Sequence, residues 1–249
     1  MYKKIVEGKK AIFFDLDGTV VKSTTDYMTD AVQKVLDDTL QAAYINAKGY
    51  VYPGLPVSKR WESILKINTF ETPRTVDELT ELTHKAFIEI INNTELSLTE
   101  GFWEFMYEIK EEKKLKTALT TNTPRAVASV VLDKLEITKA FDFIICGDEV
   151  KRTKPNPEMY KKAAKALKVR PKRVTVFEDS LAGVSAAAAA NMDIVVMYDH
   201  KTPKFEFPGK ILLFVDDFSD LPGKLDDDWV HYMAKRAKET AKLMEEENP

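Results

Sequence analysis

The sequence predicts an α/β fold, a doubly wound parallel sheet into which a block of helices is inserted. Three observations carry this. From residue 116 onward short apolar runs alternate with helical patterns, and chains that alternate in this way build parallel sheets. The run Ala11-Ile12-Phe13-Phe14 is continuously apolar, as strands covered on both faces are. Between the two, residues 22 to about 92 show helical periodicity and no convincing strand.

The first strand ends in Asp15-Leu16-Asp17, then Gly18, where the chain must turn tightly. Tyr27, Ala31, Val32, Val35, Leu36 and Leu40 follow at helical spacing, as do Val76, Leu79, Leu82, Ala86, Phe87, Ile90 and Ile91. Turns at Tyr52-Pro53-Gly54-Leu55-Pro56 and Thr72-Pro73 separate these helices. A helix over Phe102–Lys110 is entered through Thr99-Glu100-Gly101. Then come a strand Lys116–Thr121, a helix Pro124–Leu135 with proline near its first turn, a strand Phe141–Cys146 and a helix Pro157–Leu167. A strand Val174–Phe177 precedes an alanine-rich helix Leu181–Ala190, which Asn191 ends in the left-handed conformation that asparagine tolerates. Ile194–Met197 and Ile211–Val215 are further strands, and a heavily charged helix closes the chain over about Asp228–Glu247. The expected division is an α/β domain of residues 1–22 and 98–249 and a helical domain of residues 23–97, with hinges at Lys22–Ser23 and Ser97–Glu100. An insertion placed just beyond a site strand suits a lid that excludes water; a rigid decoration is the alternative.

Charge and cysteine usage bound the function. The 37 Lys+Arg and 40 Asp+Glu leave a net charge of −3, with no basic footprint for nucleic acid. Cys146 is the sole cysteine, so no intrachain disulfide forms, and a reducing cytoplasm is expected. It ends the apolar run Phe143-Ile144-Ile145-Cys146, the setting of an inert core thiol. No run reaches membrane-spanning length, and residues 1–10 carry no long apolar stretch. A small-molecule ligand is the expected partner, with neither nucleic acid nor membrane, in a monomer or homodimer.

Four groups fall at or beyond the ends of four different strands: Asp15/Asp17, Thr121-Asn122, Lys154 and Glu178-Asp179. Open α/β sheets bind ligands beyond the carboxyl ends of their strands. Each group has a plain reading by itself. Acidic pairs cap strands, Thr-Asn caps the next helix, and a lysine before proline is a surface residue. Together they supply an oxygen-ligand set of the kind Mg²⁺ prefers, with a hydroxyl and an amine for a phosphoryl group.

With these motifs, Asp15-Leu16-Asp17-Gly18-Thr19, Thr121-Asn122, Lys154-Pro155-Asn156-Pro157 and Glu178-Asp179-Ser180-Leu181-Ala182-Gly183, the chain resembles the haloacid dehalogenase superfamily. It looks like the subgroup with a helical cap between the first and second motifs, which holds phosphoglycolate phosphatases and β-phosphoglucomutases. The resemblance implies a Rossmann-like core, with Asp15 as nucleophile forming an aspartyl-phosphate. It implies Asp17 as the acid and then the base, and Thr121 and Lys154 on the phosphoryl oxygens. Mg²⁺ would be held by the Asp15 carboxylate, the Asp17 backbone carbonyl and Asp179, with Glu178 as an outer or alternative ligand. Gly18 and Asn122 would lie beside the substrate.

Asp17 favours phosphotransfer, because the superfamily's dehalogenases lack an aspartate there. Lys22 departs from the family, which usually places an acidic residue at that point. In the inserted block, Gly54-Leu55-Pro56-Val57-Ser58-Lys59-Arg60-Trp61 is similar to the cap loop that reads substrate, so Arg60 is a candidate for a second anionic group. A helix from about Ser58 with Lys59 and Arg60 solvated is the alternative. Related mutases carry an arginine like Arg60, and a histidine where this chain has Tyr27. His84, His200 and His231 read as solvated or packed, and Trp61, Phe70, Trp103 and Phe105 as core. The expected function is a Mg²⁺-dependent phosphatase of a small phosphorylated metabolite, phosphoglycolate or a sugar phosphate. A β-phosphoglucomutase-type phosphomutase is the alternative. A signalling receiver domain fits poorly because of the Asp15-to-Asp17 spacing and the insertion, and a catalytically silent binding protein because all the motifs are intact.

Overall fold

The computed structural model describes residues 3–22, 24–42, 44–50, 54–68, 72–219 and 221. Ser23 of the first hinge, the turn residues Tyr52 and Pro53, Phe70, His231 and the helix expected over 228–247 lie outside the described residues.

A short helix α1 (Lys3–Val6) leads into β1 (Ala11–Phe14). The helical block follows as α2 (Thr24–Lys34), continued by a wide π turn over Val35–Thr39, then α3 (Val57–Ile67) and α4 (Val76–Asn93). After it come α5 (Phe102–Tyr107), β2 (Lys116–Thr120), α6 (Arg125–Lys134), β3 (Phe143–Ile145) and α7 (Glu158–Ala166). β4 (Val174–Glu178), α8 (Leu181–Ala189), β5 (Asp193–Met197) and β6 (Ile211–Val215) complete the described elements.

The six strands form one sheet in the order β3-β2-β1-β4-β5-β6, and every pairing is parallel. The strand order reverses at β1, so loops after β1, β2 and β4 gather at one edge, where such sheets bind ligands. Alternation along β1 separates the two faces. Ile12 and Phe14 join one apolar cluster, and Ala11 and Phe13 join the cluster built by α7 and α8. Phe14 anchors the first cluster: its ring stacks on Phe177 at 5.4 Å and meets Phe102, Phe105, Phe141 and Phe218 within 6.1 Å. Burying each such ring contributes roughly 1.5–3 kcal/mol, so this cluster ties α5 to the strand that carries the first motif.

Several boundaries differ from the expectation by a residue or more, β3 and β4 among them. β3 is shorter than Phe141–Cys146, because Asp142 turns to accept from the Thr117 amide at 2.7 Å and the Cys146 amide donates to Glu149 at 2.8 Å. β4 extends one residue, so Glu178 is still a strand residue when its side chain reaches the site. Asn191 takes positive φ, as expected after the alanine-rich helix.

The inserted helices leave and return at one point. The Thr99 amide donates to the Val20 carbonyl at 2.9 Å and the Thr99 hydroxyl to the Thr19 carbonyl at 2.7 Å. Within the block, Trp61, Ile64, Leu79 and Phe87 are fully buried, and the Trp61 indole N–H donates to the Thr83 hydroxyl at 2.9 Å. A reciprocal Thr75/Glu78 capping box starts α4. Among the described residues no helix is long and apolar enough to cross a membrane.

Candidate active site

Asp15 and Asp17 emerge from β1, Thr121 from β2 and Glu178 from β4, while the loop before α7 brings Lys154 back over the same edge. The Lys154 ammonium is buried and donates to Asp15 Oδ1 at 2.6 Å, to Glu178 Oε1 at 2.5 Å and to the Thr120 carbonyl at 2.9 Å. Burial alone would lower its pKa, but the Asp15 and Glu178 carboxylates outweigh that and hold it well above the usual lysine value. The lysine therefore stays charged at the floor of the site.

One ammonium does not balance the acids around it. Oxygens of Asp15, Glu178 and Asp179 lie within 4.8 Å of one another. Burial, then Glu178, pushes Asp15 well above the ordinary carboxylate range, with Lys154 pulling the other way. Burial, then Asp15 and Glu178, raises Asp179 likewise. Asp179 keeps one edge open, yet its Oδ1 is buried without a hydrogen-bond partner. A buried acceptor left unpaired is destabilising, and a hard divalent cation among carboxylates satisfies it. The residues thus fit Mg²⁺.

The acids differ in their surroundings. Glu178 is saturated: Tyr160 donates its hydroxyl at 2.7 Å, Lys154 its ammonium and Ser180 its hydroxyl at 3.2 Å. That places Glu178 behind the other two. The Asp17 side chain stands outside the cluster and accepts from Thr121 at 3.2 Å and from Thr123 at 2.7 Å, both at Oδ2. Two glycines make room for the carboxylates. Gly18 has φ +90°, and a Cβ there would run into the Asp179 carboxylate. A Cβ on Gly183 would collide with the Glu178 carboxylate. Asn122 spends its side chain on backbone: Nδ2 donates to Gly54 at 2.6 Å and to the Lys154 carbonyl at 3.2 Å, while Oδ1 accepts from the Lys154 amide at 3.0 Å. It clamps the lysine loop and the Gly54 turn together.

A cavity of about 450 Å³ opens above these groups, walled by Asp15, Asp17, Thr121 and Lys154 below and by Met28, Arg60, Thr80 and His84 from the inserted helices. Lys59 is exposed and paired with Glu62, as a solvated face would be, but Arg60 is not: it is 6% exposed and donates to the Thr29 hydroxyl at 3.3 Å. Burial lowers its pKa to about 10. It lines the cavity, and among the described residues it has no carboxylate partner. Cys146 is buried and its pKa is pushed up to about 12, which leaves the thiol inert. His200 pairs with Asp216 at the surface, away from the cavity.

Sequence reasoning missed Thr123, Tyr160, Thr80 and the position of His84. Thr123 had a signal, since residues two apart at a strand end share a side. Tyr160 had none beyond an apolar helix face.

The matches to known proteins follow the same lines. Residues 9–191 match the family model described as haloacid dehalogenase-like hydrolase. A phosphorylated carbohydrates phosphatase of Thermotoga maritima is 29% identical over 184 residues, covering 74% of this chain and 82% of that protein. A phosphoglycolate phosphatase of Pseudomonas savastanoi pv. phaseolicola is 28% identical over 236 residues, covering 91% of this chain and 85% of that protein. The crystal structure of CbbY from Rhodobacter sphaeroides in complex with phosphate shares the fold with a TM-score of 0.75 at 24% identity, over 86% of this chain and 97% of that one. With the motifs in order along the chain and the sheet that carries them in place, this chain belongs to the haloacid dehalogenase-like hydrolases.

Proposed function

We propose that the chain is a Mg²⁺-dependent phosphatase of a small phosphorylated metabolite, working through an aspartyl-phosphate on Asp15, with residues 23–97 as a cap over an α/β core of residues 1–22 and 98–249. The observation that carries this is Asp15 at the end of β1, one oxygen held by Lys154 and an orphaned Asp179 oxygen beside it.

Lys154 engages Asp15 Oδ1, which leaves Oδ2 to attack phosphorus. With substrate bound, Lys154 exchanges one of its three acceptors and Thr121 turns its hydroxyl away from Asp17, so that each donates to a phosphoryl oxygen. Thr123 keeps its bond to Asp17 Oδ2, so the other Asp17 oxygen is the one left to carry a proton to the leaving group. The ester P–O bond breaks as the Asp15–phosphorus bond forms, and the alcohol leaves. Asp17, now ionised, takes a proton from water as that water attacks the phosphorus, releasing phosphate and restoring Asp15. Mg²⁺, held by Asp15, Asp179 and the Asp17 backbone carbonyl with Glu178 behind them, would neutralise phosphate charge so that two anions can meet.

The cavity volume supports a sugar phosphate over phosphoglycolate. About 450 Å³ sits within the roughly 300–1,000 Å³ range of small-molecule sites, and a two-carbon acid would leave most of it unfilled. Tyr27 stands where related mutases carry a histidine, and it packs against the apolar cluster instead of lining the cavity, which supports water as the acceptor. A phosphate-release screen over metabolite monoesters tests the reading. Release is expected with Mg²⁺, is abolished by EDTA, and is faster for sugar phosphates than for phosphoglycolate. A flat response across the panel overturns it.

Arg60 supports a substrate with a second anionic group. Arg60→Met is expected to raise KM for bis-anionic substrates by about 10- to 100-fold, the effect of losing one charge-assisted hydrogen bond. The same change is expected to leave thermal stability equal or higher, because a buried charge with no carboxylate partner among the described residues disappears. Steady-state kinetics and a melting curve check the two signs.

A further inference from the structure

One face of α4 has no structural explanation. Leu79, Thr83, Ala86, Phe87 and Ile91 are buried and pack the block's interior. Asp77, Thr80 and His84 recur at positions i, i+3 and i+7, a separate polar stripe, and all three line the cavity over Asp15. A polar stripe would be unremarkable on a solvated helix, but here it walls a cavity.

Thr80 is the informative residue. A threonine inside a helix ordinarily bonds the carbonyl four residues back. Thr83 does so to Leu79 at 2.8 Å and Thr29 to Thr25 at 2.9 Å. Thr80 does not: its hydroxyl is buried and unpartnered in a residue that lines the cavity. One turn further on, His84 is half-buried in the same wall, and its ring has no hydrogen-bond partner among the described residues. Burial lowers the His84 pKa, the Asp148 carboxylate partly opposing it, so near neutrality the ring offers one N–H donor and one bare nitrogen acceptor. Both groups are neutral and amphoteric, which suits an alcohol and not a phosphate. The charges a phosphate needs lie elsewhere in the cavity, at Lys154 and Arg60.

We propose that Thr80 and His84 are specificity-determining residues, hydrogen-bonding the hydroxyl groups of a polyhydroxylated chain whose reacting phosphate lies at Asp15 and whose far anionic group lies at Arg60. This rests on the phosphatase reading above and narrows it to phosphorylated sugars or sugar acids that carry a second charge. Met28 supplies an apolar surface for the carbon skeleton in the same wall.

The test compares two open-chain six-carbon bisphosphates on the purified full chain with Mg²⁺: the sugar alcohol mannitol 1,6-bisphosphate and hexane-1,6-diol bisphosphate, which lacks the intervening hydroxyls. The native chain is expected to prefer the sugar alcohol in kcat/KM by about tenfold or more, because a site built to bond hydroxyls is left with unpaired groups by the alkyl analogue. Thr80→Val, which keeps the shape and removes the hydroxyl, and His84→Leu are each expected to shrink that ratio at least severalfold. Thr80→Ser is expected to restore it. A native enzyme with no preference, or variants with the native ratio, overturn the proposal while phosphate release from either compound upholds the phosphatase reading. No release from these or from p-nitrophenyl phosphate overturns both.

Discussion

Asp15→Asn yields a folded protein without turnover. The amide cannot attack phosphorus, and kcat is expected to fall about 10⁴-fold or more, the scale seen when a covalent nucleophile is removed. Its stability is expected to move the other way. Asp15 is one of three carboxylates crowded against one ammonium, and burial together with Glu178 already disfavours its charge. An asparagine oxygen still accepts from Lys154 while the repulsion drops. The metal-free variant should therefore melt at or above the temperature of the metal-free native chain, and its activity loss cannot be ascribed to unfolding. Phosphate release within tenfold of native would sink the assignment of Asp15.

Lys154→Met is expected to fail on both counts. Lys154 is the only cation, among the described residues, that pairs with Asp15 and Glu178, and its side chain is 1% exposed. Breaking a buried ion pair by removing one partner costs about 3–5 kcal/mol, because the stranded charge remains buried. Denaturant unfolding of the metal-free variant should show a loss of that size, and turnover should disappear. Adding Glu178→Gln should recover part of the stability and none of the activity, since it removes a stranded carboxylate without restoring a phosphoryl ligand. A Lys154→Met protein as stable as the native one would mean that the cluster carries less charge than this geometry requires.

Much of the fold was legible because its signals are local. Ala11-Ile12-Phe13-Phe14 reads as a strand buried on both faces, and it is one. Ends were less legible, because hydrogen bonds between distant residues set them: Asp142 leaves β3 to meet Thr117, twenty-five residues away. The gathering of Asp15, Thr121, Lys154 and Glu178 was legible because each stands at or beyond a strand end, and a parallel sheet brings such ends to one edge. The cap wall was not. Arg60 sits beside Lys59 in a run that reads equally well as solvated, and only the packing of α3 against α4 buries the one and leaves the other exposed and paired with Glu62. His84 looked like any histidine beside a lysine on a helix.

The amino-acid order by itself determined the strands, the helical block between β1 and β2 and the acidic, hydroxyl and amine groups at the strand ends, because periodicity and chemical type are properties of short stretches. Tertiary structure alone decided that Glu178 is saturated by Lys154, Tyr160 and Ser180, that Asn122 clamps two loops, and that Arg60, Thr80 and His84 face one cavity. Those outcomes depend on which groups become neighbours once water is excluded, and free energies of burial and pairing are set by the neighbours, not by the residue.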